Sequence, residues 1–127
     1  MVRQTRLEPS DLIYPLFVRS GEGVKQEISS MPGNYHFSVD TLLEEIGQAW
    51  GEGIRSVLLF GIPDNKDEVG SEAYDDSAAV QQAVRALKES YPDLIVVTDV
   101  CLCEYTSHGH CGVIRDGDVE NDPTLEL

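Results

Sequence analysis

Three short apolar runs constrain this chain more than any other feature: LIYPLFV at 12–18, RSVLLFGI at 55–62 and LIVVTDV at 94–100. Each is continuously apolar rather than alternating, the pattern of parallel strands covered on both faces. The gaps between them carry helical period. Leu42, Leu43, Ile46, Ala49 and Trp50 recur at i, i+1, i+4, i+7 and i+8, a stripe down one helix face. Ser38 or Asp40 can cap its start, and Gly51 and Gly53 mark its end. Val80, Ala83, Val84 and Leu87 repeat the stripe, and Tyr91-Pro92-Asp93 stops it. The order β-α-β-α-β implies a parallel sheet with right-handed crossovers, either doubly wound or part of a β/α barrel. Periodicity does not separate the two. After Cys111 the stretch VIRDGDVENDPTLEL is acidic and rich in turn formers, and predicts no further strand. Three parallel strands alone would leave two unpaired edges, so either oligomeric cover or a longer natural folding unit is expected.

At 127 residues and 41% hydrophobic, the chain has the size of one globular domain, residues 1–127. Its formal charge of −14 would repel a phosphate backbone and an anionic membrane face, so neither nucleic acid nor a membrane is an expected partner. The acidity is spread from Glu8 to Glu126, as on a solvated surface. No signal-type apolar core follows the N-terminus, and the longest apolar run is broken by Pro15. All three cysteines lie between Cys101 and Cys111, unlike the dispersed set of a disulfide scaffold. A soluble protein of a reducing compartment is expected.

The stretch DVCLCEYTSHGHCG at 99–112 concentrates the chemistry. On a strand, Cys101 and Cys103 would share a face, roughly 6.6 Å apart at the backbone. Side-chain torsions can bring two such sulfurs to the separation of about 4 Å that tetrahedral zinc needs. Gly109 and Gly112 allow the turn that returns Cys111 to them. Three protein ligands leave a fourth position open, which is the catalytic arrangement. Two other readings stand beside it: cysteines acting as small buried hydrophobes, and thiol redox chemistry, for which the C-x-x-C spacing is missing. His108 and His110 could ligate metal, support the sulfurs, or stand exposed in a loop. Asp99, at a strand end, could bind an amine, orient a proton transfer, or cap a turn.

CLCEYTSHGHCG, with the preceding TDV, resembles the zinc segment of the porphobilinogen synthase (5-aminolevulinate dehydratase) family. LIYPLFV, SMPG at 30–33, GIRSVLLFGIP at 53–63 and NDPTLEL at 121–127 agree in order and spacing, over about the first third of that family. The resemblance implies the first three βα units of a TIM (β/α)8 barrel, an incomplete barrel domain. It implies the condensation of two 5-aminolevulinate molecules to porphobilinogen with loss of two waters, toward haem and other tetrapyrroles. Cys101, Cys103 and Cys111 match catalytic Zn2+ ligands, Asp99 matches an active-site acid near the substrate amine, and His110 matches a residue that approaches a second zinc in some members. Mg2+ is a further ion of the full-length family, and the cytoplasm or a plastid its location.

The family also uses two Schiff-base lysines in its later half. Lys25, Lys66 and Lys88 fall in a loop, a loop and a helix, none within a segment resembling those motifs. Negligible synthase activity is therefore expected of the 127 residues alone. Family members form a homo-octamer through an N-terminal arm, and this chain begins about where that arm ends, so the octamer is not expected of it. A non-catalytic zinc-binding fragment and a thiol redox module are the alternatives.

Overall fold

The computed structural model describes residues 4–127. Its centre is a parallel trio: β1 (Ile13–Arg19), β4 (Ser56–Ile62) and β5 (Ile95–Thr98). Seven aligned pairs join β1 to β4, from Ile13↔Ser56 to Arg19↔Ile62, and β5 continues from Ser56↔Ile95 to Leu59↔Thr98. The crossovers are α1 (Val39–Gly51) and α2 (Ala79–Ser90). The predicted strands and helices are thus present, with the third strand ending at Thr98 rather than residue 100. Consequently Cys101 and Cys103 lie in turns beyond the strand, not on it.

Strand alternation sorts the trio into two faces. Leu16, Val18, Val57 and Leu59 meet Leu42, Ile46, Ala83 and Leu87 of the helices in one core. Burying each such leucine contributes about 1.5–3 kcal/mol. The opposite face carries Phe17, Leu58 and Phe60, partly exposed, and Ile95 and Val97, exposed at 58% and 38%. No helix covers that second face among the described residues, which corrects the expectation of cover on both sides. The continuous apolar runs arise because both faces are apolar, as in a sheet that curls its second face inward.

Two hairpins were not foreseen. β2 (Lys25–Glu27) and β3 (Tyr35–Phe37) pair antiparallel, and β3 joins β1 in parallel, so the sheet order is β2-β3-β1-β4-β5 and one edge is extended. Lys25 therefore sits in a strand, not a loop. After the cysteines, β6 (Val113–Arg115) and β7 (Asp118–Glu120) form a second sheet, followed by one helical turn, α3 (Asn121–Thr124). Asp116 and Gly117, both at positive φ, make the tight turn between them.

Ser38 does occupy the start of α1, but it makes no cap bond. Its buried hydroxyl instead accepts from Val24 N (2.8 Å) and lies 2.5 Å from Asp40 Oδ1, tying the 20–24 loop to the helix. At the end of α2, Lys88 Nζ donates to the carbonyls of Pro92 (2.5 Å) and Leu94 (2.9 Å), a cation where the helix dipole favours one.

Candidate metal centre

Parallel strands deliver their C-terminal ends to one rim, so Arg19, Ile62 and Asp99 arrive together. Asp99 continues the β5 ladder by one bond, its N–H donating to Leu59 O (3.2 Å). The chain then turns, and the three cysteines converge. Cys101 Sγ lies 3.1 Å from both Cys103 Sγ and Cys111 Sγ, and all three sulfurs fall within 4.8 Å of one another. A tetrahedral zinc with Zn–S bonds near 2.3 Å needs sulfurs about 4 Å apart, a value inside that spread. All three thiols are free; Cys101 and Cys103 are half-buried and Cys111 is exposed, so the donor set fits a soft ion with one side open. Contacts with Cys103 and Cys111 push the Cys101 thiol up to about 12, while the contacts to Cys101 and Cys103 hold Cys111 below the ordinary value.

The supporting loop is fastened at three points. Tyr105 lies directly against Gly61 of β4: a Cβ there would fall 1.8 Å from the phenol oxygen, so only glycine admits the ring. Burial, then Glu104 and Asp99, push the Tyr105 hydroxyl up to about 12. Thr106, fully buried, donates from Oγ1 to His110 O (2.8 Å). Ser107 N donates to Asp67 O (2.8 Å). Gly112 is equally obligatory, with φ +152° and Thr124 Oγ1 2.5 Å from where a Cβ would stand.

The histidines stand apart from the sulfurs. His108 Nδ1 accepts from His110 N (3.1 Å), so its Nε2 carries the proton and donates to Glu68 O (3.1 Å). Both ring nitrogens are thereby occupied by the backbone, a structural role. The His110 ring is exposed and stacks on His108 at 5.6 Å, and the cluster of mutually close ligand atoms contains no histidine nitrogen. Glu104 was not foreseen as part of the rim: burial and Asp99 raise its carboxyl pKa against the pull of Lys66, and its Oε2 is buried without a partner. A cavity of about 720 Å³ opens beside the cluster, lined by Asp99, Cys101, Cys111, Tyr105, Val80 and Leu125 among others.

A family model described as delta-aminolevulinic acid dehydratase matches residues 1–127. The chain belongs to that family. It is 55% identical over 127 residues to the delta-aminolevulinic acid dehydratase of Halalkalibacterium halodurans and 50% identical to that of Bacillus subtilis, spanning all of this chain and 39% of each relative. The chain thus covers about two-fifths of these curated relatives. The crystal structure of delta-aminolevulinic acid dehydratase (porphobilinogen synthase) from Toxoplasma gondii ME49, in complex with the reaction product porphobilinogen, superposes with a TM-score of 0.91 at 39% identity. It covers 98% of this chain and 36% of its own. The expected fold is borne out: these are the opening βα units of the dehydratase barrel. The chain carries a three-cysteine cluster, Cys101, Cys103 and Cys111. No helix among the described residues is long and apolar enough to cross a membrane.

Proposed function

We propose that this chain is the metal-binding portion of a zinc-dependent porphobilinogen synthase, the hydro-lyase that joins two 5-aminolevulinate molecules into porphobilinogen. The observation that carries the reading is the convergence of three sulfurs at the C-terminal rim of the parallel strands, next to Asp99. That rim is where β/α folds hold their sites. Thiolates of Cys101, Cys103 and Cys111 would hold zinc, and His110 remains a candidate toward a second zinc only if its exposed ring swings from His108. When bound, zinc supplies a Lewis acid with a fourth position for a substrate carbonyl or amine. The chain's own residues do the rest. Asp99 accepts hydrogen bonds from the substrate ammonium and fixes its end. Tyr105 holds the cysteine loop against β4 and Thr106 ties it to His110 O so that the ligands keep their spacing, and Val80 and Leu125 line the adjoining cavity.

Covalent activation is not supplied here. Lys25 pairs with Glu45 at 2.9 Å, Lys88 is committed to carbonyls, and Lys66 stands in an exposed rim loop. None occupies the apolar pocket that activates an imine-forming lysine. The stretch therefore binds and polarises, and the synthase reaction needs lysines in an apolar pocket, which none of Lys25, Lys66 and Lys88 occupies. Free thiols suit a reducing compartment, the cytoplasm with a plastid as alternative. A colorimetric porphobilinogen assay on zinc-loaded chain should show negligible turnover; turnover near that of a complete relative would overturn the division of labour. Zinc titration against a chelating dye should give one ion per chain.

A further inference from the structure

The three sulfurs are not held alike. Cys101 and Cys103 sit two residues apart on one turn, where Tyr105 N and Thr106 N both donate to Leu102 O (2.9 Å each). Their spacing is local. Cys111 returns to Cys101 from ten residues away and is exposed, so its distance depends on where the backbone beside it is fastened. Upstream, Thr106 Oγ1 holds His110 O. Downstream the hold falls on Gly112, which is buried although its neighbour Cys111 is exposed.

The segment that follows supplies that burial. Val119 Cγ1 and Thr124 Cγ2 stand 2.6 and 2.8 Å from where a Gly112 Cβ would be, so both side chains close on the bare Cα. The Thr124 hydroxyl meanwhile accepts from Val113 N (3.0 Å) and donates to Glu120 O (2.5 Å). Glu120 is also the partner of Val113 in the β6–β7 ladder. One hydroxyl thus joins both strands of the hairpin to the α3 turn, around the two residues next to Cys111. A β-branched side chain is stiff at χ1, which keeps that hydroxyl aimed. The hairpin has no core of its own to maintain: Val113 and Ile114 are only half-buried, and Val119 and Leu125 are exposed. What its order secures is the backbone beside the third sulfur.

We propose that Thr124 is a positioning residue for the third metal ligand: its hydroxyl clips the β6–β7 hairpin onto Gly112 and Val113 and so sets where the Cys111 sulfur stands relative to Cys101. The assignment rests on the zinc reading above and adds to it a residue that touches neither metal nor substrate. Supports of this kind, one step behind the ligands, govern metal affinity in other sites.

The test loads the reduced chain with Zn2+ and, in parallel, with Co2+, whose bonds to thiolates absorb in the near ultraviolet. Thr124→Val keeps the side-chain shape and removes the hydroxyl. It should weaken zinc about five- to tenfold and lower the cobalt–thiolate band by about a third, as one sulfur of three leaves. Thr124→Ser should restore most of both. Arg115→Met breaks the exposed Arg115–Glu120 pair of the same hairpin without reaching Gly112, and should change neither. In the wild-type chain zinc should slow amide exchange at Val113, because a clip that favours the metal must in turn be favoured by it. Wild-type affinity and spectrum in Thr124→Val, an equal loss in Arg115→Met, or Val113 exchange indifferent to zinc overturns the Thr124 assignment and leaves the zinc reading standing. A wild-type chain that takes up neither ion overturns both.

Discussion

The helix-backed frame from Ile13 to Thr98 and the rim segment from Asp99 to Leu127 are held together by different physics. In the frame, eleven hydrophobic residues are buried, all between Leu16 and Leu94. In the rim segment no hydrophobic residue is fully buried; its one buried side chain is Thr106, and the order comes from glycines, turn hydrogen bonds and one aromatic ring. The frame can lose a side chain only at the expense of its core. The rim segment has almost no core to lose, and its shape rests on glycine contacts, turn hydrogen bonds and the Tyr105 ring. The contrast explains why a precise ligand set can sit on a stretch with almost no core.

A truncation inside the frame makes the largest break. Leu59→Ala leaves a cavity at a residue 1% exposed and should lower unfolding stability by about 2–5 kcal/mol, read from urea melts. Zinc affinity of the folded fraction should stay unchanged; a parallel loss of both would merge the two regions. Next in size is a frame position whose lack of a side chain serves the rim. Gly61→Ala drives a methyl into Tyr105 and Val80, and overpacking of this kind costs about 1–3 kcal/mol. Here zinc binding should weaken as well, about tenfold, because the Tyr105 anchor is displaced. Unaltered zinc binding would show that Tyr105 does not position the sulfurs.

A smaller effect is expected from the histidine clamp. His108→Ala removes bonds to Glu68 O and His110 N, each net about 1 kcal/mol, and should weaken zinc by a few-fold with urea melts of the frame unmoved. A loss as large as that of a cysteine variant would make His108 a ligand. The smallest effect tests the frame by pH. Burial raises the Glu45 carboxyl, but hydrogen bonds from Lys25 and Tyr14 outweigh it, and the folded pKa lies below the ordinary 4.5. A depressed carboxyl stabilises the fold above its unfolded value, and that stabilisation is lost as pH falls through the folded one. Melts between about pH 4.5 and pH 3 should therefore show a slope that Glu45→Gln reduces, with no accompanying change at neutral pH in zinc stoichiometry.

Legibility in the sequence follows the same division. β1, β4, β5 and both helices announce themselves through periodicity, because each buries a face long enough to repeat. The three-residue strands β2, β3, β6 and β7 are too short for any period to show. Their turns did carry a signal: Asp116-Gly117 is a hairpin dipeptide, and Pro32-Gly33 with φ +83° closes the other. The cysteines were legible as a set, yet for the wrong local reason, since turns rather than strand alternation bring Cys101 and Cys103 together. Glu104 and the Tyr105–Gly61 contact left no pattern, because each depends on register between strands distant in sequence.

Zinc stoichiometry against cysteine content tests the central claim most directly. Reduced wild-type chain, loaded and then dialysed, should retain about one zinc, with its thiols reacting freely only after a chelator is added. Cys101→Ser, Cys103→Ser and Cys111→Ser should each lose the ion while their metal-free urea melts stay within about 0.5 kcal/mol of wild type. Metal-free wild-type protein that ignores added zinc, or equal retention after any one of these substitutions, would contradict the account.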